Sequence, residues 1–75
     1  MVMTTKVWQR RARIGDVVWD FELAGGQLNA WRNGFQVKTV YSDGREVTWW
    51  TDEWPEEIVA AWQEMVDVMR REAGR

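Results

Sequence analysis

The chain contains no cysteine and no histidine among its 75 residues. The first absence excludes disulfides, and the two together exclude a cysteine or histidine metal site and the usual nucleophile–base pairs of covalent catalysis. Serine occurs once, as Ser42, at what reads as a hairpin corner. Proline also occurs once, as Pro55. No apolar run approaches the roughly 20 residues that span a bilayer, and Met1-Val2-Met3-Thr4-Thr5-Lys6 has no apolar core of a signal peptide. The expectation is a cytoplasmic protein that needs no cofactor, metal or membrane.

What the chain has in quantity is tryptophan. Trp8, Trp19, Trp31, Trp49, Trp50, Trp54 and Trp62 make seven, each able to bury roughly 150–250 Å². A chain this short forms one domain, spanning residues 1–75, and short domains need bulky core residues or a partner. Net charge is −2, which argues against a generic polyanion binder. The charge is uneven. Lys6, Arg10, Arg11, Arg13, Arg32 and Lys38 dominate the first half, while residues 49–69 hold Asp52, Glu53, Glu56, Glu57, Glu64 and Asp67 and no cation.

Four dipeptides punctuate the first fifty residues: Gly15-Asp16, Gly25-Gly26, Asn33-Gly34 and Asp43-Gly44. Each suits a two-residue hairpin loop. The segments between them predict strands over 7–14, 17–24, 27–32, 35–42 and 45–51. Two-residue loops also fix cross-strand partners, and partners share a face. One face then carries the rows Trp8/Leu23/Leu28/Thr39/Thr48, Arg10/Phe21/Ala30/Val37/Trp50 and Ala12/Trp19/Arg32/Phe35. The other face carries Gln9/Glu22/Asn29/Lys38/Trp49 and Arg11/Asp20/Trp31/Gln36/Thr51, with Val7, Val18, Val40 and Val47.

A helix comes next. Pro55 suits its first position, acids cluster at its start, Arg70 and Arg71 near its end, and Gly74 can terminate it. Ile58, Ala61, Trp62, Met65, Val66 and Met69 recur at helical spacing and form one apolar stripe. The expected fold is α+β: a five-stranded antiparallel meander with one C-terminal helix packed on one face.

Residues that carry chemistry are few. Gly25-Gly26 is a turn and not the start of a phosphate-binding glycine motif. The acids of residues 52–57 are what a helix N-terminus attracts. The expectation is therefore a protein that is not an enzyme. The open sheet face is the candidate site. Trp31, Trp49, Lys38, Val40 and Val47 form the expected contact for a second copy or another protein. The alternative is single-stranded nucleic acid or nucleotide binding, with Trp31 and Trp49 stacking on bases and Arg11, Arg13 and Lys38 meeting phosphates.

The order of elements, strands and then a helix across one face, resembles the repeating unit of Whirly-type and Pur-type single-strand binders over most of the chain. The likeness is architectural and would imply nucleic-acid binding. Short chains rich in tryptophan, with arginine in excess of lysine, also resemble accessory proteins of phages of GC-rich bacteria, which would imply a regulatory role against a host component.

Overall fold

A computed structural model describes residues 7–73. The expectations placed on residues 1–6 and on Gly74 lie outside the described residues. Strands β1 (Trp8–Ile14), β2 (Val17–Ala24), β3 (Gln27–Arg32), β4 (Phe35–Tyr41) and β5 (Glu46–Thr48) precede the helix α1 (Glu56–Ala73). The sheet is an antiparallel meander in the order β1-β2-β3-β4-β5. The architecture is thus α+β, as the spacing of the turns requires.

The first two hairpins keep the predicted register: Trp8 faces Leu23, Arg10 faces Phe21, and Leu23 faces Leu28. The third begins as expected, with Arg32 opposite Phe35 and Trp31 opposite Gln36. Its Asn33-Gly34 turn has both residues at positive φ, 50° and 83°, the combination a tight hairpin loop with the sheet's twist demands. The register then shifts by one. Ala30 faces Lys38 and Leu28 faces Val40, so Val37 is an extra residue in β4, a β-bulge.

The fourth loop also differs from expectation. Tyr41 N–H donates to the Arg45 carbonyl and Gly44 N–H to the Tyr41 carbonyl, leaving three loop residues, Ser42, Asp43 and Gly44. Gly44 has φ of 94°, as the residue closing a three-residue hairpin loop requires. Asp43 fixes the turn by accepting from Arg45 N–H at 3.0 Å and Arg45 Nε at 2.8 Å. Those donors, the backbone one first, hold its carboxyl below the ordinary carboxylate range.

Each irregularity moves the pairing by one residue, so each inverts the facing of the residues beyond it. The bulge inverts residues 38–41, and the longer loop restores β5. Thus Lys38 and Val40, expected on the open face, lie on the helix side, while Thr39 lies outside. Val47 stays on the outer face but is opposite Thr39, and Lys38 is opposite Thr48 rather than Trp49. Thr39 is nonetheless buried, donating to Asn29 Oδ1 at 2.7 Å and accepting from Gln36 Nε2 at 2.7 Å.

The core lies between the sheet and α1. Trp19, Phe21, Leu23, Leu28, Ala30 and Val37 meet Ile58, Ala61, Trp62, Met65, Val66 and Met69, all buried. The apolar stripe of the helix is therefore the one its spacing predicts. Pro55 precedes the helix and its carbonyl accepts from Ile58 and Val59 N–H, both at 3.0 Å. Two arginines on the core face reach partners: Arg10 pairs with Glu64 of α1, and the Arg32 guanidinium lies 4.8 Å from the centre of the Trp50 ring. Phe35, expected on the core face, is 77% exposed. It sits directly after the turn, and Arg32 rather than Phe35 covers Trp50.

Phe21→Ala removes a ring touching both Trp54 and Trp62 and is expected to cost about 3–5 kcal/mol, enough to unfold much of the population in a thermal melt. Gly34→Val puts a branched side chain at φ of 83° and is expected to lower stability by at least ~1–2 kcal/mol. An unchanged denaturation midpoint would contradict that turn.

Candidate binding cleft

The outer sheet face is more polar than its valines suggest. Asn29 Oδ1 accepts from Gln27, Gln36 and Thr39, and Gln9 donates to Glu22. Arg11 Nε donates to Asp20 Oδ1 at 2.7 Å, and this bond, helped by the charge of Asp20, pushes the guanidinium pKa up. Arg13 Nε donates to the Gly15 carbonyl at 3.2 Å. Trp31 is half-buried on this face, next to Arg11, Asp20 and Glu22 around a hollow of about 450 Å³. Trp49 is 56% exposed and makes no aromatic contact among the described residues. The structure keeps Trp31, Arg11, Arg13 and Val47 on or beside the outer face. It does not bring Lys38 or Val40 to them.

The turned-in residues help build a different site. Helix α1 packs over β2 and β3. The β4–β5 half of the same face is left to the chain that links β5 to the helix. Val37 anchors that link, its carbonyl accepting from Trp49 N–H at 2.9 Å and more weakly from Trp50 N–H at 3.4 Å. The anchored link brings Trp50 and Trp54 against Trp19, with ring centres 5.9 and 5.1 Å apart. Trp54 also meets Phe21 at 6.2 Å and Trp62 at 5.3 Å. Sheet, link and helix are thus joined by five rings at edge-to-face and offset separations, where aromatic pairs are attractive.

Beside this cluster opens a cleft of about 780 Å³ lined by Lys38, Thr48, Trp50, Trp54, Val59 and Trp62, with Asp52, Glu53 and Glu56 among its polar residues. Lys38 Nζ is 5.8 Å from the Trp54 ring centre and 5.9 Å from that of Trp62, and 3.0 Å from Glu46 Oε1. Half-exposed Val59 adds an apolar edge from the helix. Among the described residues no group of three or more acids is disposed to hold a metal ion, and no helix is long and apolar enough to cross a membrane.

Register and periodicity place Trp50 and Trp62 in the core, make Asp52, Glu53 and Glu56 helix-terminal charge, and assign Trp54 to no face. The sequence signal that points to the cleft is density: four of the seven tryptophans fall within residues 49–62. No family model, curated protein or solved structure matches this chain.

Trp54 touches three other aromatic rings and Trp49 none. Trp54→Ala is therefore expected to cost roughly 3 kcal/mol, whereas Trp49→Ala stays within about 0.5 kcal/mol of the parent. Equal melting temperatures for the two variants would refute the cluster.

Proposed function

We propose that the protein is a non-enzymatic binding module that captures an extended segment of another protein along β5, over the tryptophan cleft. One observation carries this reading. Among the described residues, the half of the sheet face that the helix leaves uncovered has aromatic walls and lies beside an unpaired strand edge.

The edge is defined by the hydrogen-bond pattern. Tyr41 N–H donates to Arg45, and Trp49 N–H to Val37. In an antiparallel pair the bonded residues alternate. The backbone groups of Glu46 and Thr48 therefore point away from β4, and both residues are exposed. A free edge is a template for one more strand. An added segment gains main-chain hydrogen bonds, and its alternate side chains lean toward the cleft, where pockets give such docking its specificity. The cleft is within the volume range of ligand sites, roughly 300–1,000 Å³. The opposite edge, β1, is less inviting, because Arg10, Arg11 and Arg13 line it.

The outer face supports the stacking alternative less well. Arg11 is committed to Asp20 and Arg13 to its own turn, and Lys38 faces the helix. Self-association through Trp31 and Val47 loses Val40 for the same reason.

Selection from a displayed library of random peptides tests this assignment. The expected result is enriched sequences whose binding to the protein is lost in Val59→Arg, which alters the cleft edge, and kept in Trp31→Ser, which alters the outer face. Peptides that show the reverse pattern would move the site to the outer face. Failure to enrich any sequence would refute the module.

A further inference from the structure

The chemistry of the cleft specifies its occupant, an inference that rests on the docking site proposed above. We infer that the captured segment is basic, and that it presents an arginine side chain to the Trp54 side of the cleft.

Three observations converge on a cation. The first is the walls. Trp faces carry negative potential and attract cations within about 6 Å. This chain already uses them so, with Arg32 over Trp50 and Lys38 over Trp54 and Trp62. The second is the charge of the lining, where one cation, Lys38, stands against three carboxylates, Asp52, Glu53 and Glu56. Lys38 is itself taken by Glu46. The third is that none of the three carboxylates has a counter-ion among the described residues. The helix dipole rationalises Glu56 and Glu57 in the first turn, but it places no aromatic wall behind them.

Other occupants fit less well. An acidic segment meets like charge at the rim. A wholly apolar one strips water from Lys38 and the carboxylates without offering them a hydrogen bond. An arginine answers both groups, because its planar guanidinium stacks on an indole while its N–H fork donates to carboxylates. In an extended segment alternate residues share a face, so basic residues at every second position suit the site.

The test uses three capped peptides in which valine alternates with arginine, glutamine or glutamate, with binding read from the tryptophan fluorescence of the full chain. The arginine peptide is expected to bind at least about tenfold more tightly than the glutamine peptide at low salt. That preference should shrink several-fold between about 50 and 300 mM salt, as screening weakens exposed charge pairs. It should vanish in the Asp52→Asn, Glu53→Gln, Glu56→Gln triple variant. Val59→Arg, which sets a fixed cation at the rim, should weaken the arginine peptide in a fold whose stability is checked separately by circular dichroism. Equal binding of the three peptides in the cleft overturns the charge inference and leaves the docking site standing. Tighter binding of the glutamate peptide or of a short thymidine oligonucleotide also overturns the charge inference. So does a mass in light scattering that rises with concentration and that the arginine peptide fails to reverse, since a second copy then fills the cleft.

Discussion

The extra residue at Val37 decides what the two faces of the sheet present. Side chains alternate along a strand, so one inserted residue exchanges the faces of everything beyond it. In β4 this sends Lys38 and Val40 toward the helix and Thr39 outward. The outer face keeps a hydrogen-bonded set centred on Asn29, and the inner face gains a cation that the tryptophans can hold. The same residue fixes the link to the helix through its carbonyl. That anchor acts together with the ring contacts of Trp50 and Trp54 to hold both beside Trp19.

The bulge also sets the division of labour between the tryptophans. Trp19 and Trp62 are buried and serve the core. Trp50 and Trp54 are half-buried, with one side against other rings and the other side lining the cleft. A small domain gains stability by massing large rings. The helix is too narrow to cover five strands, so part of that mass remains at the surface. A helix over β2 and β3 leaves the β4–β5 flank open, and that flank carries the aromatic wall.

Charge is distributed to match. The cations of β1 line one sheet edge, while the carboxylates of the link and the first helical turn gather at the other. Of the two edges, the one bearing arginines is the protected one. Pairing of Arg10 with Glu64 also ties β1 to the helix, although an exposed pair of this kind contributes little to stability, about 0–1 kcal/mol.

Strands β1 to β4, the antiparallel order, the helix and its buried stripe are legible in the sequence, whereas β5, expected over 45–51, ends at Thr48 and leaves residues 49–51 to the link. Gly15-Asp16, Gly25-Gly26 and Asn33-Gly34 act locally, because a turn type is set by the few residues that tolerate its backbone angles. The stripe Ile58, Ala61, Trp62, Met65, Val66 and Met69 comes from helical periodicity alone. Two features are not legible there. A bulge carries no local signature in the sequence Gln36-Val37-Lys38, and Asp43-Gly44 suits a three-residue loop as well as a two-residue one. Both are decided by the tertiary structure, where Val40 turns in against the core and Thr39 gains a partner in Asn29. The cleft exists only because those two choices, together with the width of one helix on a five-stranded sheet, leave Trp54 at a surface. No pattern along the chain records that, since it depends on what does not come to lie above a residue.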